Sequence, residues 1–135
     1  MTGKALTDTA LRAAIAATLA VSGYIHAQLY ISGYRYIHAI GVMFLIQASV
    51  SFALAVLLPI GRSMLLRIAA TGVAAGALSG FAASRTIGVL GFTERGLQPS
   101  PQSLISILME AATLLLLAPA LIRTVRDLHL ARKRR

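Results

Sequence analysis

Glu110 is a carboxylate in the middle of an apolar run, ISILMEAATLLLL, residues 105–117. If that run crosses a membrane, an ionised carboxylate there costs at least ~2.5–3.5 kcal/mol, so a polar partner must offset it. The chemistry open to such a group is the binding of a proton, an ion or a small ligand, or a structural ion pair. Its neighbours in space decide between these.

Three other polar side chains are predicted to lie near Glu110. His26 is in the first apolar stretch, Gln47 in the second, and Arg85 near the end of the third. Side chains on a helix lean toward its N-terminus, so Arg85 and Glu110, on antiparallel helices, should point at each other. Glu110 lies about 13 Å below Pro101 at the helical rise per residue, and Gln47 is at nearly that depth. We therefore predict a polar cluster of His26, Gln47, Arg85 and Glu110.

The cluster has two principal interpretations. In one, the Arg85 and Glu110 pair fixes the register of the helices, with Arg85 reaching to the headgroups. In the other, the cluster binds a proton, ion or small ligand through Glu110. A third possibility is an enzyme acting on lipid, with His26 or Glu110 as general base. No recognisable nucleophile or soluble-enzyme motif accompanies these residues, so no enzyme is predicted.

A haem cofactor is disfavoured. His26 and His38 could form a histidine pair, but they lie at different depths across a short hairpin, where they face each other poorly. The chain has no cysteine, which excludes thiolate metal sites and disulfides. No cofactor and no metal site are predicted.

Composition places these residues in a membrane. The chain of 135 residues is 57% hydrophobic and 13% charged, with mean hydropathy +0.77, whereas soluble chains carry about 25% charged residues. Four apolar stretches can each cross the bilayer: residues 9–31, 37–60, 64–88 and 101–122. Backbone groups in lipid must be satisfied within a segment, which favours helices. The predicted fold is an all-α transmembrane four-helix bundle, antiparallel and up-down, in a single domain covering 1–135.

Basic residues predict the orientation. Lys4, Arg12, Arg62, Arg67 and the tail 123–135 fall on one side, whereas Arg35, Arg85 and Arg95 fall on the other. The positive-inside rule then places both termini in the cytoplasm. The net charge of +9 therefore indicates anionic lipid headgroups, not nucleic acid, as the partner.

Two further features are candidates for contacts. Gly72, Gly76 and Gly80 form a GxxxGxxxG pattern, which is typical of a helix-packing face. The long glycine-rich connection between the third and fourth stretches is a candidate functional loop. The outer-loop candidates are Arg35, Thr86, Glu94 and Arg95.

Two segments carry a resemblance: GYIHAQLYISGYRYIHAIGVMFLIQA at 23–48, and SRTIGVLGFTERGLQPSPQ at 84–102. They resemble small, uncharacterised four-helix membrane proteins of high-GC bacteria, in which a histidine near the end of the first span and an SRT-x-G segment before a glycine-rich loop recur. The resemblance covers about a third of the chain and implies no known activity. It implies the same fold, a location in the bacterial inner membrane, and a shared site around His26, Arg85, Thr86 and Glu94.

These observations lead to two functional expectations. The first is a non-enzymatic small subunit or scaffold of a membrane complex, with spare GxxxG surfaces forming a homo-oligomer or contacting a larger assembly. The alternative is a small proton-linked carrier, or a carrier of an ion or small molecule, that uses Glu110.

Overall fold

The computed structural model describes residues 3–133 and contains four long helices: α1 (Gly3–Ser32), α2 (Ile40–Ile60), α3 (Met64–Arg85) and α4 (Gln102–Lys133). Each is long and apolar enough to cross a membrane. A short 3₁₀ turn, Tyr34–Tyr36, joins α1 to α2. The predicted all-α four-helix bundle is confirmed. The tail is part of α4 as far as Lys133, and the last two arginines lie outside the described residues.

Two helix ends lie three residues inside the predicted boundaries. α2 begins at Ile40, three residues later than expected, because the 3₁₀ turn precedes it and Ala39 has a φ of 65°. α3 ends at Arg85 because Thr86 leaves the helical conformation. Gly88 then has a φ of 78°, and a Cβ there would come within 3.0 Å of the Thr93 side chain. Glycine therefore suits the reversal that brings the following loop back over α3.

The helices form a ring. Consecutive helices contact each other, and α4 also packs against α1. We call the end with the 3₁₀ turn and residues 86–101 the loop end, and the end with both termini the tail end. The closest glycine contact between helices joins α1 to α2. A Cβ on Gly23 would lie 3.2 Å from Ser51 Cβ and 3.3 Å from the Ala48 carbonyl oxygen, so the missing side chain allows this approach.

The two halves of the bundle are packed differently. In the half toward the tail end, apolar side chains from all four helices form one buried cluster: Ile15, Leu19, Leu54, Leu58, Ala70 and Leu117. In the other half, buried polar side chains such as Ser22, Ser106 and Glu110 lie beside the buried apolar ones. The apolar half stabilises the packing of the four helices. The other half contains the buried polar groups that could form a site.

The glycine stripe of α3 does not pack within the chain. A Cβ added at Gly72, Gly76 or Gly80 would meet nothing within 4 Å. The buried side of α3 is instead marked by Ala70 and Ala74, which are 0% and 1% exposed. The prediction that this GxxxG surface packs inside the bundle is therefore wrong. That it packs against another chain stays a prediction.

Candidate functional site

Glu110 is buried, 2% exposed, at the contact between α1 and α4. Its Oε1 accepts a hydrogen bond from Ser106 Oγ at 2.8 Å, one turn earlier on α4. The same oxygen accepts a second bond from Ser22 Oγ of α1 at 3.1 Å. Two hydroxyl donors on one oxygen stabilise a buried carboxylate, because hydrogen bonds to a charged acceptor are stronger than neutral ones.

The polar contact between α1 and α4 continues one turn toward the tail end. Thr18 Oγ1 and Thr113 Oγ1 are 2.8 Å apart, and Thr113 also donates to the Met109 carbonyl oxygen at 2.8 Å. These hydroxyls fix the register of α1 against α4. The carboxylate above them is thus held in one position.

His26 faces Glu110 from α1. Its Nδ1 lies 2.9 Å from the Ser22 carbonyl oxygen, and because a carbonyl only accepts, Nδ1 carries the proton. The other ring nitrogen, Nε2, is 3.9 Å from Glu110 Oε1, too far for a direct hydrogen bond. In the neutral ring Nε2 has a lone pair, so when Glu110 is ionised two acceptors face each other across a gap.

A cavity of about 330 Å³ leads to this pair of acceptors. Glu110, His26 and Ser106 form its inner wall, and apolar side chains line most of the remainder. The apolar lining consists mainly of Leu29, Ile40, Met43, Phe44, Ile46, Phe81, Val89, Phe92 and Ile107. A mostly apolar pocket with a few convergent polar groups is typical of small-molecule sites.

The cavity is open on one side. The lining contributed by α1 and α4 is buried or half-buried, but Met43 and Ile46 of α2 are 45% and 57% exposed. Gly76, on the facing side of α3, is also exposed. Toward the tail end, Gln47 Nε2 donates to the Val73 carbonyl oxygen at 3.3 Å and joins α2 to α3. The opening therefore lies between α2 and α3, on the loop-end side of that bond.

Arg85, Glu94 and Tyr34 close the loop end of the cavity, and we call these three residues the cap. Arg85 Nη2 lies 2.9 Å from Glu94 Oε2, and the Tyr34 hydroxyl donates to Glu94 Oε1. The Tyr34 ring stacks on Phe44 of α2 with 4.5 Å between centroids. Burial raises the pKa of the Tyr34 phenol, and the bond to Glu94 raises it further, so the hydroxyl stays protonated as a donor.

All four residues of the predicted polar cluster line the cavity: His26, Gln47, Arg85 and Glu110. The predicted pairing of Arg85 with Glu110 is wrong, because Arg85 pairs with Glu94. The loop folds back so that the Glu94 backbone N–H donates to the Ser84 carbonyl oxygen at 2.9 Å. This bond places the Glu94 carboxylate beside Arg85 at the loop end, and the guanidinium pairs with it there.

Only one of the four outer-loop candidates lines the cavity, and it is Glu94. Arg35 lies over the Tyr36 ring at 4.7 Å, Thr86 Oγ1 donates to the Ala82 carbonyl oxygen, and Arg95 is exposed. Of the site implied by the resemblance, Thr86 is thus the member outside the cavity.

Sequence reasoning did not assign Ser22, Ser106 and Tyr34 to the site. A signal for the two serines existed, since each lies four residues before a predicted site residue, on the same helix face. Tyr34 carried no comparable signal, because its position depends on the path of the 3₁₀ turn. His38 is exposed and does not line the cavity with His26. Within residues 3–133, no three His, Asp or Glu side chains gather as metal ligands.

Comparison of the chain with models of known families, with curated proteins and with solved structures finds no significant match. The fold and the site therefore define the class. The chain is a multi-pass four-helix membrane protein with a cavity that reaches a buried carboxylate.

Proposed function

We propose that this protein binds a small amphipathic amine in the cavity and carries it in exchange for protons. The observation that supports this most strongly is the pair of acceptors at the inner wall. Glu110 Oε1 and His26 Nε2 are 3.9 Å apart, and His26 is the one basic side chain within 4.0 Å of the carboxylate in the described chain. A charged ammonium head with several N–H donors complements both groups.

Protons compete with such a ligand at the same two groups. Protonation of Glu110 removes the negative charge that attracts the ammonium. Protonation of His26 at Nε2 converts the acceptor into a donor that pairs with Glu110. In either case the head group loses its partner, so proton uptake releases the amine and amine binding releases a proton.

The size and the apolar lining of the cavity indicate what the ligand carries besides its amine. A volume of about 330 Å³ is at the lower end of the range for small-molecule pockets. Aromatic and aliphatic side chains such as Phe44, Phe81 and Ile107 surround most of it. These walls favour a hydrocarbon group behind the amine.

We also propose how the protein is oriented in the membrane. Basic residues lie toward the tail end: Arg12, Arg62, Arg67 and the basic tail. This supports a cytoplasmic tail end next to anionic headgroups, and the resemblance to membrane proteins of high-GC bacteria supports a bacterial inner membrane. The cavity then lies in the outer leaflet. A binding and carrying role requires no bond to be made or broken in the ligand, so the proposed protein is not an enzyme.

The test is binding of radiolabelled dodecylamine to the protein in phosphatidylcholine nanodiscs. We expect saturable binding above that of empty nanodiscs, loss of this binding in Glu110→Gln, and full retention in Asp127→Asn, which removes an exposed acid far from the cavity. Dodecyltrimethylammonium has the charge but no N–H donor, and should bind more weakly. Binding equal to empty nanodiscs, or unchanged in Glu110→Gln, contradicts the proposal.

A second candidate is a scaffold or subunit that associates through α3. The supporting observation is the open glycine stripe, where Gly72, Gly76 and Gly80 have nothing within 4 Å of a Cβ position. In lipid, such a stripe lets another helix approach closely. Energy transfer between labelled copies in liposomes tests this: Gly72→Leu should abolish it, and Ala82→Leu, exposed but outside the stripe, should not. Equal transfer in both variants excludes this association.

A further inference from the structure

We infer that the ligand is a long-chain amine dissolved in the membrane, and that it enters the cavity sideways from the bilayer, between α2 and α3. This inference rests on the proposed function and adds the class of ligand and its route. The inference follows from the sides of the cavity: the protein closes some of them and leaves another open.

The side toward the water is closed at the loop end. Arg85 binds Glu94, donates from Nε to the Gly96 carbonyl oxygen at 3.0 Å, and donates to the Gln98 carbonyl oxygen. Its guanidinium also lies 3.7 Å from the centroid of the Phe81 ring. One side chain thus ties the end of α3 to three positions of the loop that follows it.

The cap is completed from the other side of the bundle. Tyr34, in the turn between α1 and α2, bonds to the same Glu94 carboxylate. Its ring stacks on Phe44 at 4.5 Å and meets the edge of Phe92 at 5.9 Å. Residues from both halves of the chain therefore meet over the loop end of the cavity and close it.

The inner wall and the floor are also closed. The inner wall is the contact of α1 with α4, where Ser22 and Ser106 both bond to Glu110. The floor is the bond from Gln47 to the Val73 carbonyl oxygen, and the buried apolar cluster lies beyond it. A ligand cannot reach Glu110 through either.

The side between α2 and α3 faces lipid. Gly76 and Gly80 line the cavity and have open space where a Cβ would be, so α3 presents bare backbone along its edge of the opening. Met43 and Ile46 of α2 form the opposite edge and are exposed. An amine with a long chain can place its head at Glu110 while its tail leaves through this opening into hydrocarbon. A short, water-soluble amine gains nothing from that route.

Substitutions that fill the opening test this route, and the quantity measured is the rate of dodecylamine association in nanodiscs. Gly76→Leu and Gly80→Leu put side chains into the gap and should slow association by at least about tenfold. Gly72→Leu is the matched control, since Gly72 belongs to the same stripe but does not line the cavity, and its rate should stay within about twofold of the parent. Propylamine should bind the parent far more weakly than dodecylamine.

A second pair of variants acts from α2. Ile46→Trp narrows the opening and should slow association, whereas Leu45→Trp, exposed but outside the cavity lining, should not. This pair decides the matter if the α3 variants unfold, as read by their melting curves.

The outcomes separate the two proposals. If dodecylamine does not bind the parent, the proposed function fails and the route fails with it. If it binds and Glu110→Gln abolishes binding, while Gly76→Leu, Gly80→Leu and Ile46→Trp bind at the parental rate, the function stands and sideways access is overturned.

Discussion

Arg85 of α3 pairs with Glu94 of the loop that follows it, with 2.9 Å between Nη2 and Oε2. The charge of Arg85 is thereby satisfied at the end of the bundle and is not used by the deeper carboxylate of Glu110. Within the described residues, Glu110 has hydroxyl donors and His26 as its polar neighbours. With His26 neutral, the described bundle holds a buried acid with no cation in contact, and this leaves Glu110 able to pair with an external cation.

The Arg85 and Glu94 pair should control access of water to the cavity. Because the chain has no cysteine, Ile107→Cys places a single thiol on the cavity wall. Adding Arg85→Gln should raise the rate at which a charged thiosulfonate modifies that thiol by about tenfold, since the cap loses its cation. Arg95→Gln, which alters an exposed loop arginine, is the control. Equal rates in both variants would show that the cap does not seal the cavity.

The serine hydroxyls should stabilise the ionised form of Glu110. Ser22→Ala or Ser106→Ala removes a bond to a buried charged acceptor, and each should cost about 1.5–3 kcal/mol of unfolding free energy. Ser49→Ala is the control, because its exposed hydroxyl bonds to its own helix at the Leu45 carbonyl oxygen. The measurement is reversible unfolding in detergent. In a Glu110→Gln background the same substitutions should cost less, and an equal cost there would refute the stabilisation of charge.

Binding of dodecylamine should weaken as the pH falls. Below the titration of Glu110 or His26, a proton occupies the position that the ammonium needs, so the Kd rises with proton concentration. The other charged groups that line the cavity, Arg85 and Glu94, are paired with each other and should contribute little. Kd measured from about pH 8 to pH 5 tests this, and His26→Gln should flatten the profile. A Kd independent of pH in the parent would exclude proton exchange.

The orientation in the membrane is a separate prediction. Leu97→Cys, in the loop, should react with an impermeant maleimide on intact spheroplasts, since the less basic side faces outward. Arg132→Cys, near the end of α4, should react only after lysis. Both positions are exposed, so the difference reports on the membrane and not on burial. The reverse pattern would place the cavity in the inner leaflet.

The sequence was informative about the helices and about the faces that carry polar residues. Four long apolar stretches predicted α1 to α4, and the predicted cluster residues His26 and Glu110 lie on faces of α1 and α4 that do meet. Depth along a helix follows from the rise per residue. That is why all four cluster residues line one cavity.

Contacts that depend on loops could not be predicted in the same way. The path of residues 86–101 is set by backbone conformations such as that of Gly88 and by bonds such as Glu94 to Ser84, none of which has a periodic signature. Small residues likewise indicate which faces can approach closely, but not which do. Gly23 makes the tight contact between α1 and α2, whereas the stripe of α3 faces open space.

Both proposals require that an ammonium head binds between Glu110 and His26. A density map of the protein in nanodiscs with dodecylamine would locate the bound amine. We expect a head group within about 3.2 Å of the Glu110 carboxylate and of His26 Nε2, with the alkyl chain leaving between α2 and α3. Density for the amine only elsewhere, or Arg85 turned away from Glu94 and onto Glu110, would contradict it.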